Sequence, residues 1–339
     1  MNPNRPVFVV VNARSGRGAV RDRIESLRAG FVAASGNEPR IFVARSGKHL
    51  AGITTAAVSQ ARRENGVLVV AGGDGTINSV GQVALAQQVA FGIVPGGTFN
   101  LLSRTYGIPQ DAEGAIRAIV AGSVRPVQAG LVNDRVFFVN ASVGLYPRLL
   151  EDREAYKRRL GRSRLVALWS ALVTLFTRSY RLELDLDADG RRWRQRTPTL
   201  FVGNNRLQLD QVGIDDADCV EHGRLLALTS QPLDTPAAIR LLVRSALGRL
   251  GDAPEVQSFT FEKLVVTSTR PGGRPRIKVA TDGEIVSLMP PLVFRPSPQP
   301  LQLIVPPAAV ESRVSGDAQG ENAGMSARHR IDGAAAMPR

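Results

Sequence analysis

Val67-Leu68-Val69-Val70-Ala71 runs straight into Gly72-Gly73-Asp74-Gly75-Thr76, and this junction decides the fold. An unbroken apolar run is what a parallel strand covered on both faces needs. The glycines let the backbone turn sharply and admit a ligand close to the main chain. Residues 77–86 have helical periodicity, so the loop opens a helix. Its first N–H groups and the positive end of its dipole aim at the same point. Strand, loop and helix start together make a phosphate cradle. Asp74 is too acidic to hold phosphate itself, but it suits the shell of a magnesium ion bound with phosphates. A plain glycine-rich turn with an aspartate cap is the alternative reading of the same residues.

The neighbouring segments repeat the pattern. Residues 7–11 form another continuous apolar strand. Val20, Ile24, Leu27, Phe31 and Ala34 then recur on one helix face. A strand at 40–44, a helix at 54–65, a strand at 89–94 and a helix through Ala112, Ala115, Ile116 and Ile119 follow. Alternating strands and helices predict a parallel α/β sheet. Pro95-Gly96-Gly97-Thr98-Phe99-Asn100 ends a strand at the same sheet edge, where ligands of open α/β sheets bind. Thr98 and Asn100 offer a hydroxyl and an amide there, although Pro-Gly-Gly is also an ordinary turn. Asn12-Ala13-Arg14-Ser15-Gly16-Arg17-Gly18 follows the first strand. It lacks the third glycine of a dinucleotide fingerprint and the Gly-Lys-Ser/Thr of a Walker loop. Its arginines at a helix start still suit anionic oxygens.

After about residue 124 the pattern becomes strand-rich. Residues 127–132 and 136–143 read as strands joined by an Asn133-Asp134 turn. Leu182, Leu184 and Leu186 alternate with acids, the period of a half-buried strand, and Asp189-Gly190 turns into 191–197. Further strands are predicted at 199–203, 224–229, 259–267, 276–280 and 285–288, with helices at 152–176 and 235–247. The fold class is therefore α/β: an N-terminal Rossmann-like parallel α/β domain plus a C-terminal, mainly antiparallel β-sandwich domain. Residues 306–339, rich in Ala, Gly, Ser and Pro, read as a disordered tail.

Composition narrows the function classes. The 339 residues carry 43% hydrophobic and 22% charged side chains, ordinary for a globular protein and natural for two domains. The longest nearly uncharged apolar run, 165–176, is far short of the roughly 20 residues of a membrane span. The N-terminus has no signal-peptide layout, so a cytoplasmic protein is expected. One cysteine, Cys219, excludes an internal disulfide, and 3 histidines suggest no zinc site. The net charge of +13 is almost all arginine, which suits phosphate or an anionic surface. An arginine-biased composition gives the same total, so location decides. Nine basic residues between Arg148 and Arg181 face only Glu151, Asp152 and Glu154, and flank the apolar run with Trp169. That pattern suits docking on an anionic membrane surface, or a core helix with solvated flanks. With 5% aromatic residues and no reading motif, nucleic acid is not an expected partner.

Asn-x-x-Ser-Gly, Gly-Gly-Asp-Gly-Thr and Pro-x-Gly-Thr-x-Asn, in this order on successive βα units, resemble the diacylglycerol kinase catalytic-domain family, which includes sphingosine kinases. The resemblance spans roughly residues 5–305. It implies a nucleotide-binding domain of 1–126, with about 287–305 returning to it, and a lipid-substrate domain of 127–286. It implies ATP and Mg2+ as co-substrate and cofactor and a lipid hydroxyl as acceptor, and the basic apolar stretch above adds peripheral membrane association as an expectation. A homodimer is compatible with it. By motif, the nucleotide would meet Asn12, Ser15, Gly16, Arg17, Gly72, Gly73, Asp74, Gly75, Thr76, Asn78, Gly97, Thr98 and Asn100. Asp74 would act in catalysis and in the magnesium network. Thr281-Asp282-Gly283-Glu284 resembles the family's Asp-Gly-Glu, which makes Glu284 the general base, while Asp282-Gly283 also reads as a hairpin turn. Four departures stand out, one being that the usual threonine after the second strand is missing around Ala44. Arg206-Leu207-Gln208-Leu209-Asp210-Gln211 replaces a glycine-rich stretch. His222 stands where the family has a structural-magnesium aspartate, a poor exchange for an ion that wants oxygen donors, with Glu221 and Asp218 nearby. Ser79 replaces a common glutamate. A soluble-substrate sugar or NAD kinase, and a nucleotide-binding regulator without turnover, are the alternatives.

Overall fold

The computed structural model describes residues 5–13, 19–144, 147, 182–231, 237, 240–241, 243–244, 247–268 and 276–307. The expected insertion 152–176, most of 235–247, residues 308–339, and Ser15, Gly16 and Arg17 lie outside them.

The first lobe is a six-stranded sheet. Its early strands are β1 (Val7–Asn12), β2 (Arg40–Ala44), β3 (Val67–Gly72) and β4 (Phe91–Pro95), in the parallel order β2-β1-β3-β4. The interleaved helices are α1 (Val20–Ser35), α2 (Gly47–Arg63), α3 (Asp74–Gln87), the short α4 (Leu101–Thr105) and α5 (Ala112–Ala121). Helix α1 packs with α5, and α2 with α3. The two pairs cover opposite faces of the sheet, as right-handed crossovers require. β1, β3 and β4 are buried almost throughout because both faces are covered, edge strand β2 is mostly half-buried, and Phe8, Phe31, Phe91, Ile116 and Ile119 form the centre of this core.

The sheet is completed from the far end of the chain. β5 (Ser123–Val127) is its edge, and the last strand, β18 (Leu301–Val305), slots between β4 and β5. β18 runs parallel to β4 and antiparallel to β5. Only these residues of the expected returning stretch 287–305 join the first sheet, because 292–296 pair in the other lobe.

The second lobe stacks two six-stranded sheets. One has the order β10-β9-β14-β17-β6-β7, with β6 (Gly130–Val132), β7 (Arg135–Phe137), β9 (Leu182–Ala188), β10 (Arg191–Thr197), β14 (Leu264–Ser268) and β17 (Leu292–Pro296). The other has the order β13-β12-β11-β8-β15-β16, with β8 (Asn140–Gly144), β11 (Thr199–Gly203), β12 (Leu225–Ser230), β13 (Val256–Phe261), β15 (Ile277–Thr281) and β16 (Glu284–Leu288). Every pairing in these sheets is antiparallel. Phe137, Phe261, Phe294, Leu184 and Leu186 fill the space between them.

Three expected strands are broken. Residues 127–132, 136–143 and 259–267 each divide between two sheets. The divisions fall at 128–129, 138–139 and 262–263. Sandwich corners are made by strands that change sheet, and a continuous apolar pattern does not reveal the corner. α2 begins at Gly47, earlier than expected, where the Ser46 hydroxyl caps it by accepting from His49 N. α6 (Arg206–Gln211) and a 3-10 helix, Asp215–His222, were not foreseen.

Candidate active site

The first lobe supplies a floor made of backbone. β1, β3 and β4 end at one edge of the sheet, so Asn12, Gly72–Thr76 and Gly96–Asn100 converge there. Gly96 N donates to Gly72 O (2.9 Å). A Cβ at Gly97 would stand 2.9 Å from Gly73 Cα, and one at Gly73 would stand 3.2 Å from Gly97 Cα. The two loops therefore touch backbone to backbone, and any side chain at Gly97 would drive them apart. Gly96, Gly97 and Thr98 are exposed above this contact. Gly73 caps α3 without a side chain, so the N–H groups of the first turn, which have no carbonyl inside the helix, face the same opening.

The polar side chains have more than one job. Asp74 Oδ2 accepts from Asn100 N (3.0 Å) and its Oδ1 accepts from Leu101 N (2.9 Å), so Asp74 caps α4 and ties the loops together. Each oxygen keeps a second lone pair for another partner. Asn12 Nδ2 donates to Thr76 Oγ1 (3.2 Å), which couples the first loop to α3. Asn100, 5% exposed with a left-handed φ of 48°, braces its own loop. Its Oδ1 accepts from Gly97 N, and its Nδ2 donates to Gly97 O and Gln110 Oε1. Asn78 is also buried, with its Oδ1 accepting from Gln82 Nε2 (2.6 Å) and its Nδ2 donating to Asp282. Gly96, Gly97 and Thr98 thus remain open to solvent and Gly73 and Gly75 are half-buried, while Gly72, Thr76, Asn78 and Asn100 are buried.

The second lobe supplies the carboxylates. Asp282 (φ 47°) and Gly283 (φ 86°) form the turn of the β15–β16 hairpin, whose last pair is Thr281 and Glu284. The Asp282 carboxylate accepts from Phe138 N (2.7 Å), Val139 N (2.9 Å) and Asn140 N (2.9 Å), besides Asn78. Burial pushes the Asp282 carboxyl above the ordinary carboxylate range, and those donors pull against it. Glu284 reaches over the start of α3, where its Oε1 lies 3.2 Å from the position a Cβ on Gly75 would take. Desolvation raises its pKa, and the charge of Arg135 partly opposes this. A carboxylate held near a phosphate cradle, with its proton affinity raised, has the properties of a general base.

Two buried polar atoms on β8, Asn140 Oδ1 and Ser142 Oγ, have no hydrogen-bond partner among the described residues. Ala141 and Val143 point into the sandwich core, so Asn140 and Ser142 point the other way. Val286, on the Glu284 side of β16, packs on the core, which puts Glu284 on the opposite face from those two atoms.

The donor set fits a triphosphate, since backbone N–H groups and a side-chain-free floor are present. For a metal, no group of three or more His, Cys, Asp or Glu exists among the described residues. Asp74 therefore fits an ion that arrives with the phosphates, in the usual manner of magnesium. The family's structural metal, already in doubt from His222, does not fit here. Around His222, the Nδ1 atom meets Asp218 O (3.0 Å) and Glu221 pairs with Arg206 (2.9 Å).

Residues 6–132 match the family model described as the diacylglycerol kinase catalytic domain. The diacylglycerol kinase of Bacillus subtilis is 38% identical over 102 residues, 29% of this chain and 34% of that protein. That of Staphylococcus aureus is 38% identical over 96 residues, 27% of this chain and 30% of that protein. The aligned part thus spans about a third of the length of these curated relatives. A solved diacylglycerol kinase structure from Bacillus anthracis superposes with a TM-score of 0.64 at 18% identity, covering 90% of this chain and 98% of that one. The family resemblance is borne out over residues 6–132, and the two-part α/β and antiparallel fold is borne out as well.

Proposed function

We propose that this chain is an ATP-dependent lipid kinase that transfers the γ-phosphate to a hydroxyl of a diacylglycerol-like lipid. The observation that carries this reading is the position of Glu284. It hangs from one lobe over the helix start that forms the phosphate floor of the other, 3.2 Å from the Cβ position of Gly75.

The glycine loops and Thr98 hold the phosphates by backbone N–H and hydroxyl donation, and Asp74 keeps the two loops in register. Glu284 accepts the proton of the lipid hydroxyl as its oxygen attacks the γ-phosphorus. The bond from that phosphorus to the β,γ-bridging oxygen breaks, and ADP leaves with the electron pair. Magnesium supplies charge neutralisation on the phosphates when bound, with Asp74 the side chain placed to reach its shell. Most of the rate enhancement comes from positioning and charge, so the rigidity of the floor matters as much as the base.

The basic apolar segment 148–181 brings the site to an anionic bilayer, where each basic residue near the surface contributes about 1 kcal/mol. Sedimentation with anionic vesicles at low salt tests this, and absence of binding rejects it. Among the described residues no helix is long and apolar enough to cross a membrane.

The central test is transfer of labelled γ-phosphate to diacylglycerol in mixed micelles with magnesium, followed by a panel of other lipid alcohols. A labelled phospholipid supports the reading. A blank panel, with ATP bound in calorimetry, favours a nucleotide-binding regulator.

A further inference from the structure

Helix α3 has one edge that belongs to the other lobe. Gly75 lies under the Glu284 carboxylate, Asn78 donates to Asp282, and a Cβ at Gly81 would stand 2.8 Å from the Phe138 ring. These positions follow one another at helical spacing, so they form a single stripe. The stripe meets one small unit of the second lobe. Phe138 N donates to Asp282, and Asp282 holds the turn that carries Glu284. Asn78 is the only polar side chain of the three. Gln82 Nε2 fixes its amide by donating to Oδ1, which leaves Nδ2 aimed at Asp282.

We infer that Asn78 is a positioning residue for the base, not a ligand of the nucleotide: through Asp282 it locks the Glu284 hairpin to the helix that forms the phosphate floor. The inference rests on the proposed kinase reading for its catalytic meaning. Three observations carry it. The side chain is 4% exposed, so it does not line the opening. Its Oδ1 and Nδ2 are both engaged inside the protein. Its partner is anchored by three successive backbone N–H groups, so a displacement of Asn78 passes to the turn and not to a loose side chain. A displacement of about 1 Å at a reacting group costs up to about 10²-fold in rate.

The test uses the full chain with Mg-ATP and diacylglycerol micelles, comparing wild type with Asn78→Ala and with Asn78→Ser as a smaller polar replacement. The expected result is a kcat lowered by about 10- to 100-fold with a KM for ATP within about threefold. Adding Glu284→Gln to either variant should cost much less than it does in wild type, because a misplaced base has little left to lose. A KM for ATP raised by about tenfold or more with kcat unchanged would make Asn78 a nucleotide ligand and overturn the inference. Hydrogen exchange of residues 277–288 gives a readout independent of turnover. Faster exchange in either variant, by about tenfold, upholds the lock, and unchanged exchange overturns it. If the wild type phosphorylates no lipid, the kinase reading fails while the exchange measurement still judges the lock.

Discussion

Two hairpins of the second lobe turn on the same dipeptide and do different work. Asp189-Gly190 and Asp282-Gly283 have nearly the same backbone, with φ of 50° and 90° in one and 47° and 86° in the other. In both, the aspartate carboxylate grips backbone N–H groups at a corner where the chain changes sheet. Asp189 accepts from Glu262 N and Lys263 N, between β13 and β14. Asp282 accepts from Phe138, Val139 and Asn140 N, between β7 and β8. The last donor separates them. Asp189 takes Arg224, at the surface, whereas Asp282 takes Asn78, buried and from the other lobe. The residue after each glycine differs too, Arg191 in one and Glu284 in the other. A corner clamp becomes part of a candidate active site when a second lobe holds its carboxylate and an acid follows the turn.

The sharpest way to break this comparison is at the residue after the glycine. Glu284→Gln should lower kcat by about 10²- to 10⁴-fold, with ATP affinity by calorimetry within about threefold. Arg191→Gln should leave kcat within about twofold in the same assay. Next comes the clamp itself, read by urea denaturation. Asp282→Ala strands three backbone donors and Asn78, and should cost about 3–5 kcal/mol. Asp189→Ala should cost about 1 kcal/mol, because its side chain is 36% exposed and water can replace it. Equal losses would mean that the cross-lobe donor adds nothing.

A smaller effect is expected from Gly75→Ala. The new methyl would stand 3.2 Å from Glu284 Oε1, so the carboxylate must yield by a few tenths of an ångström. kcat should fall by about threefold to tenfold with thermal stability held or slightly raised, since alanine favours the helix. The smallest effect is on pH. A base works deprotonated, and burial raises the Glu284 pKa, so the acid limb of kcat/KM should lie above the ordinary glutamate range. Arg135 lowers that pKa, so Arg135→Gln should move the limb to still higher pH. A limb that moves down, or stays in place, removes Glu284 from the titration.

The first lobe was readable because its code is local. Residues 7–11 and 67–71 are continuous apolar runs, and each glycine loop follows its own strand. The second lobe was readable as strands but not as sheets. Nothing in 259–267 marks the corner at 262–263, since the carboxylate that makes it comes from Asp189. The site divides the same way. Gly73, Asp74, Gly97 and Glu284 stand out as motif residues, and the structure brings them together. The inward turn of Asn78 and Asn100 depends on Asp282, Gln82, Gln110 and Gly97, partners that spacing does not announce.

β18 has a consequence for how the molecule is made. During synthesis β4 leaves the ribosome as a bare apolar edge, Phe91-Gly92-Ile93-Val94-Pro95. Its permanent neighbour, Leu301–Val305, emerges roughly two hundred residues later, after every strand of the second lobe. β5 cannot shield β4 in the interval, because β18 stands between them in the finished sheet. An uncovered sheet edge invites pairing with other chains. The nascent first lobe therefore keeps an unpaired apolar edge until β18 arrives and closes the sheet.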